Sequence, residues 1–124
     1  MFDRARGLAA AYRATDYIVR GGPAMRIGQR TKLPRAAVFI TACNPFGCRR
    51  PPFQNVSANR RLHARFGHAR AGIGRGWDGA WPAESSLLLT GLRLREAAAL
   101  GRRLRQVAIV YVPRGRPAEL VALL

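Results

Sequence analysis

The apolar positions of this chain change period several times, and each change marks an element. Residues 4–14, RARGLAAAYRA, place Leu8, Ala11 and Tyr12 on one side of a short helix that Gly7 weakens. At Thr15 the period drops to two, and TDYIVR sets Tyr17 and Val19 on one face of a strand. Gly21-Gly22-Pro23 is a turn, and Ala24 to Ile27 reads as the returning strand of a hairpin. The basic connection GQRTKLP follows. Ala36 to Ala42, which contains AVFITA, is apolar throughout, rich in β-formers and bounded by breakers, the pattern of a central strand buried on both faces.

Helical spacing returns after Pro52. Val56, Asn59, Leu62 or His63, and Phe66 recur on one side of a helix over roughly Val56 to Phe66, with Asn55 or Ser57 as its cap. Ala69 to Ile73 allows a short strand. A glycine-rich loop then carries Trp77 and Trp81, and Ser85 to Thr90 (SSLLLT) is another strand. Arg93 to Arg105 has the clearest amphipathic stripe, Leu94, Ala97, Ala98, Leu100 and Leu104, with Glu96 early in the helix to complement its dipole. Gln106 to Val112 is a strand, Pro113-Arg114-Gly115 a turn, and Glu119 to Leu123 an antiparallel partner. Together these elements predict one α+β domain over residues 1–124. It should have a mixed or antiparallel sheet of about five to seven strands with two to three packed helices, and a glycine-rich loop at about 72–82.

The chain has 124 residues, enough for one modest core. No apolar run approaches a membrane span, and the N-terminus lacks the long uncharged segment of a signal peptide, so a cytoplasmic protein is expected. Charge changes the picture more. Twenty-one arginines and one lysine face six acidic residues, for a formal net charge of +16. Such a surface attracts polyanions, nucleic acid above all, with strong salt dependence, and arginine suits bidentate phosphate contacts. A GC-rich codon bias also raises arginine, but it does not account for so few acids.

The stretch FITACNPFGCRRPP concentrates the candidate chemistry. Cys43 and Cys48 are spaced for a disulfide or half a zinc site, yet further cysteines are lacking. His63 and His68 complete a four-ligand set only at irregular spacing, so no metal and no cofactor is expected. Cys43 as a nucleophile needs a base; His63 on the following helix, with Asn44 or Glu84 nearby, is a candidate, but nothing in its spacing is specific. AGIGRGWDGAW is neither a Walker A loop nor a dinucleotide fingerprint, although Arg75, Trp77 and Trp81 together suit a lid that stacks on a ligand. Asn44-Pro45 is a turn former at the carboxyl end of the central strand, where ligands collect in layered folds. Arg49 and Arg50 lie in the same connection. Glu84, one carboxylate among many arginines, is either ion-paired or a base.

The segments YRATDYIV, MRIGQ, AVFITACNPFG, Asn59-Arg60 followed by Leu62, WPAESSLLLTGL and ALGRRLRQVAIVYV occur in an order that resembles DUF3293, a family of small bacterial proteins of unknown function. The likeness runs from about Tyr12 to Val121. It implies no reaction, cofactor or partner. It does imply a shared polar set: Thr41, Asn44, Pro45, Asn59, Arg60, Trp81, Glu84 and Ser86, with Gln106 opening a later strand. The family pattern has tryptophan where this chain has Cys43, which puts a family-wide thiol or metal mechanism in doubt.

Three functions follow as expectations. The first is a basic binding protein for nucleic acid, RNA above all, or another polyanion, using Arg49, Arg50, Arg61, Arg65, Arg75, Arg102, Arg103 and Arg105. The second is a small enzyme or small-ligand binder whose pocket is formed by Asn44, Asn59, Arg60 and Glu84, within a ligand-binding set that adds Thr41, Trp81 and Ser86. The third is an accessory protein that docks a protein partner. A monomer or small homo-oligomer, without membrane association, fits all three.

Overall fold

The structure, a computed structural model, describes residues 4–22, 24–31, 33–77, 79 and 83–123, with the backbone alone for 4–8. Its elements in chain order are α1 (Arg4–Arg13), β1 (Thr15–Val19), β2 (Ala24–Met25), β3 (Ala37–Ile40), a 3-10 turn (Pro45–Gly47), α2 (Pro52–Arg65), β4 (Arg70–Gly76), β5 (Glu84–Thr90), α3 (Leu94–Arg103), β6 (Ala108–Val112) and β7 (Glu119–Ala122). The seven strands form one sheet in the order β2-β1-β4-β5-β3-β6-β7, and every described pairing is antiparallel.

β3 lies between β5 and β6, as its uninterrupted apolar run requires. Alternation splits its side chains between two layers. Val38, Ile40 and Ala42 pack with Leu62 of α2 and with Ala97, Ala98 and Leu100 of α3. Ala37 and Phe39 face the other way, toward Tyr17, Val19, Leu88, Val110 and Val112, with Tyr12 of α1 packed against them. Each fully buried Ile, Leu or Val in these layers contributes about 1.5–3 kcal/mol, so the sheet centre dominates stability.

α2 and α3 therefore share one face of the sheet, and α1 covers the other. The sheet curls about that second face until its two edges meet. The Gly28 amide donates to Ala118 O at 2.7 Å and the Ala118 amide to Gln29 O at 2.9 Å, joining the segment after β2 to the entry of β7. α1, attached to β1, spans the hollow and reaches β7.

Several boundaries depart from the periodicity. α2 begins at Pro52, because proline suits the first helical turn, and Pro51 precedes it with no side-chain cap, so neither Asn55 nor Ser57 caps it. Val56 is exposed rather than on the buried stripe, and so is Leu94 of α3. The returning strand of the first hairpin is only Ala24–Met25. The glycine-rich segment expected as loop from residue 72 is β-structure through Gly76, paired with both β1 and β5. Gly101, a poor helix former, sits where α3 approaches closest. A Cβ there would come within 2.8 Å of Ile109 Cγ2 and 2.5 Å of Leu123 Cδ1.

Candidate functional site

The ladder between β3 and β5 ends at Ile40 opposite Leu87, and side chains take over from there. Thr41 Oγ1 donates to Ser85 O at 2.8 Å and accepts from the Cys43 amide at 3.0 Å. Asn59, projecting from α2, accepts the Ala42 amide at 2.8 Å through Oδ1 and donates through Nδ2 to Ser85 O at 2.6 Å. One amide thus bridges the two splayed strands. On the far side, Gln106 is buried and donates to Cys43 O at 3.0 Å.

Asn44 stands at the centre. It is buried and lies in the left-handed region (φ 47°, ψ 61°), which asparagine tolerates better than most residues. Its backbone amide donates to Asn55 Oδ1 at 2.9 Å, and Asn55 Nδ2 returns a bond to Asn44 Oδ1 at 2.9 Å. The Arg50 amide reaches the same Oδ1 at 2.8 Å. With its oxygen occupied twice, Asn44 presents Nδ2 outward, and this nitrogen donates to Glu84 Oε1. The ion pair recorded among the described residues joins Arg26 to Asp16; Glu84 is held by an amide instead.

This cluster stands between two cavities. The first, about 340 Å³, lies under α1 on the hollow face of the sheet, with Tyr12, Tyr17, Phe39 and Val110 among its walls and Thr41, Glu84, Ser86 and Gln106 at its polar end. The space follows from β4. Register pairs Gly72 with Ser86 and Gly74 with Glu84, so Gly72, Gly74 and Gly76 all fall on the hollow face and leave it without side chains. At Gly72 a Cβ would press to 3.1 Å on both Ile18 O and Ser86 Oγ. Ser86 Oγ is buried and has no hydrogen-bond partner among the described residues.

Burial dominates the ionisation of the cavity walls. It pushes the Tyr12 hydroxyl up to about 12, with the Glu84 charge adding to the effect. Tyr17 is raised as well, chiefly by burial, and its hydroxyl donates to Tyr12 O at 3.1 Å. The Cys43 thiol is also pushed up by burial, which takes it away from the thiolate a nucleophile needs. Cys43 is buried and Cys48 exposed, and no disulfide joins them. No group of three or more metal-ligating side chains occurs among the described residues.

The second cavity, about 410 Å³, opens on the opposite side of the cluster, between α2 and the β4–β5 hairpin. Arg49, Asn55, Asn59, Arg60 and His63 line it, and it shares Cys43, Asn44, Glu84 and Ser86 with the first.

The structure thus brings together Thr41, Asn44, Asn59, Glu84 and Ser86, with Arg60 on the wall of the second cavity; Trp81 lies outside the described residues. Arg61, Arg65, Arg102 and Arg103 are exposed on the α2–α3 layer, Arg105 beside Phe46, and Arg75 on β4 opposite Asp16. Asn55, read from sequence as a helix cap, belongs to the site instead. Tyr12, Tyr17 and Gly74 were not read as site residues at all, although glycine at every second position of a β-segment is the signal that one face has been emptied.

The architecture defines a class: a small, curled antiparallel sheet with helices on both faces and a polar cluster between two cavities. Residues 40–109, more than half of the chain, match the model of DUF3293, a protein family of unknown function, and the chain belongs to this family. The matched stretch includes every member of the polar cluster from Thr41 to Gln106. Among curated proteins and among solved structures nothing matches the chain. No described helix is long and apolar enough to cross a membrane.

Proposed function

We propose that the protein binds a small, flat, largely apolar ligand in the cavity beneath α1, and that the polar edge of this ligand donates a hydrogen bond to Glu84. The observation that carries the reading is Glu84 beside a buried, unpartnered Ser86 hydroxyl at the polar end of an aromatic-walled cavity. A pocket of this size, apolar with a few convergent polar groups, is the usual form of a small-molecule site. An unsatisfied buried hydroxyl costs about 1–3 kcal/mol, which a ligand's polar atom recovers. Glu84 as a carboxylate only accepts, so the complementary group is an N–H or O–H on a planar ring, and Tyr12, Tyr17 and Phe39 suit its faces.

The test is a thermal-shift and calorimetric screen of heteroaromatic amines against the wild type and two variants. At Gly74, on the cavity wall, an added Cβ meets only ordinary contacts, 3.6 Å to Thr15 Cγ2 and 3.7 Å to the Tyr17 ring, so Gly74→Val is the variant chosen to put side-chain volume into the cavity. Binding should be lost in Gly74→Val and weakened about tenfold in Glu84→Gln, the worth of one charge-assisted bond. Undiminished binding by Gly74→Val refutes the location.

A second reading rests on a separate observation. α2 and α3 pack on the same face of the sheet, so their exposed Arg60, Arg61, Arg65, Arg102 and Arg103 lie on one side of the molecule. With the net charge of +16 this side suits a polyanion such as RNA. Affinity for single-stranded RNA should fall steeply between low and physiological salt, and less steeply in the Arg61→Gln/Arg65→Gln variant. Binding indifferent to salt would overturn this reading.

A further inference from the structure

The two cavities are not independent, and their difference in charge says what one ligand spanning them would be. Cys43, Asn44, Glu84 and Ser86 appear in the walls of both. On the far side of that shared wall, Arg60 and His63 line the second cavity. They stand three residues apart on α2, the spacing that puts side chains on one face of a helix. Among the described residues neither side chain makes a hydrogen bond or ion pair. The asparagine amides beside them are already engaged, Asn55 with Asn44 and Asn59 with Ser85. Beyond the shared wall, which carries Glu84 and Ser86 in both cavities, the side chains left to recognise a ligand in the second cavity are therefore the Arg60 guanidinium and the His63 imidazole, whereas those of the first are aromatic.

We infer that the second cavity is the anion subsite of the same ligand, and that the ligand is a nucleoside 5′-monophosphate or a molecule of that construction. Its ring lies under α1 with a ring amine on Glu84, and its phosphate lies between Arg60 and His63. This rests on the reading of the first cavity given above. A phosphate suits the second cavity better than a carboxylate. Its three terminal oxygens can accept the two-nitrogen fork of Arg60 and a donor from His63 together, where two carboxylate oxygens would be taken up by the guanidinium alone. A sugar is the right kind of spacer, since the shared wall offers polar side chains rather than further apolar surface.

The experiment is calorimetric titration of the full chain, at one fixed physiological ionic strength, with the four common ribonucleosides and their 5′-monophosphates. At least one monophosphate should bind, and at least about tenfold more tightly than its nucleoside, the worth of a charge-assisted contact. Arg60→Gln and His63→Gln should each lower the monophosphate's affinity several-fold and together erase its advantage. Arg116→Gln, on the exposed turn before β7, is the control for net charge. Equal affinity for nucleoside and monophosphate, or the same loss in Arg60→Gln as in Arg116→Gln, overturns the anion subsite while the first cavity's reading stands. Binding of neither, with heteroaromatic amines still binding wild type but not Gly74→Val, overturns the ligand class and again leaves the first cavity in place. Binding of oligonucleotides only, unaffected by Gly74→Val, overturns both readings in favour of the polyanion surface.

Discussion

Replacing Asn44 with glycine and, separately, with alanine divides its role into two measurable parts. Asn44→Gly keeps the left-handed backbone, which glycine adopts without strain, and removes only the side-chain amide. Three hydrogen bonds go with it: one to the Glu84 carboxylate, worth about 1.5–3 kcal/mol, and two from Arg50 and Asn55, worth about 1 kcal/mol each. Cavities flank the site on both sides, so water recovers part of this, and a loss of about 2–3 kcal/mol is expected. Asn44→Ala loses the same bonds and also carries an alanine at φ 47°, which costs about 1–2 kcal/mol. Glycine's greater freedom in the unfolded chain offsets roughly 0.5–1 kcal/mol of that difference, leaving alanine the worse by about 0.5–1 kcal/mol. The assay is urea unfolding at equilibrium, comparing midpoints at constant slope. A loss under about 1 kcal/mol in Asn44→Gly would show that the amide network holds nothing together. Alanine equal to or better than glycine would refute the left-handed backbone.

Three other outcomes follow from the same geometry. Ser86→Ala removes a buried hydroxyl that has no partner, so it should stabilise the chain by about 1 kcal/mol while weakening ligand binding; a comparable destabilisation in urea would mean that the hydroxyl is bonded. Gly101→Ala gains about 1 kcal/mol of helix propensity, but Ile109 is buried and stiff, so overpacking of about 1–3 kcal/mol should win. Adding Leu123→Ala should relieve part of that loss, whereas strictly additive midpoints would refute the contact. Alkaline pH should destabilise the fold in two stages. Cys43 and Tyr12 are both raised, so their contributions are complete below the unfolded values of about 8.5 and 10 and are lost as pH climbs through the folded ones. Tyr12, at about 12, accounts for about 2–3 kcal/mol between pH 10 and 12. Tyr17, also raised by burial, contributes to the fall above pH 10 as well, so Tyr12→Phe should lower the slope in urea titrations without abolishing it, and an unchanged slope would refute the assignment.

Local pattern alone determined a good deal of this protein. The uninterrupted run at β3 marked a central strand because a segment buried on both faces has no polar position to spare. The amphipathic stripe of α3, the hairpin of β6 and β7, and the family motifs were legible for the same reason: each is a relation between residues close along the chain. The polar set Thr41, Asn44, Asn59, Glu84 and Ser86 could be named in advance, but not its geometry. Nothing near Asn55 in sequence distinguishes a helix cap from a partner for Asn44, since either role uses the same short amide. The alternating glycines of β4 read as a loop because glycine lowers strand propensity; only pairing on both sides, with β1 and β5, holds them extended. The cavity they open exists because the sheet curls far enough for residues 28 and 29 to bond Ala118. Curl, cavity and the meeting of the two pockets at Glu84 depend on contacts tens of residues apart, and tertiary packing alone decided them.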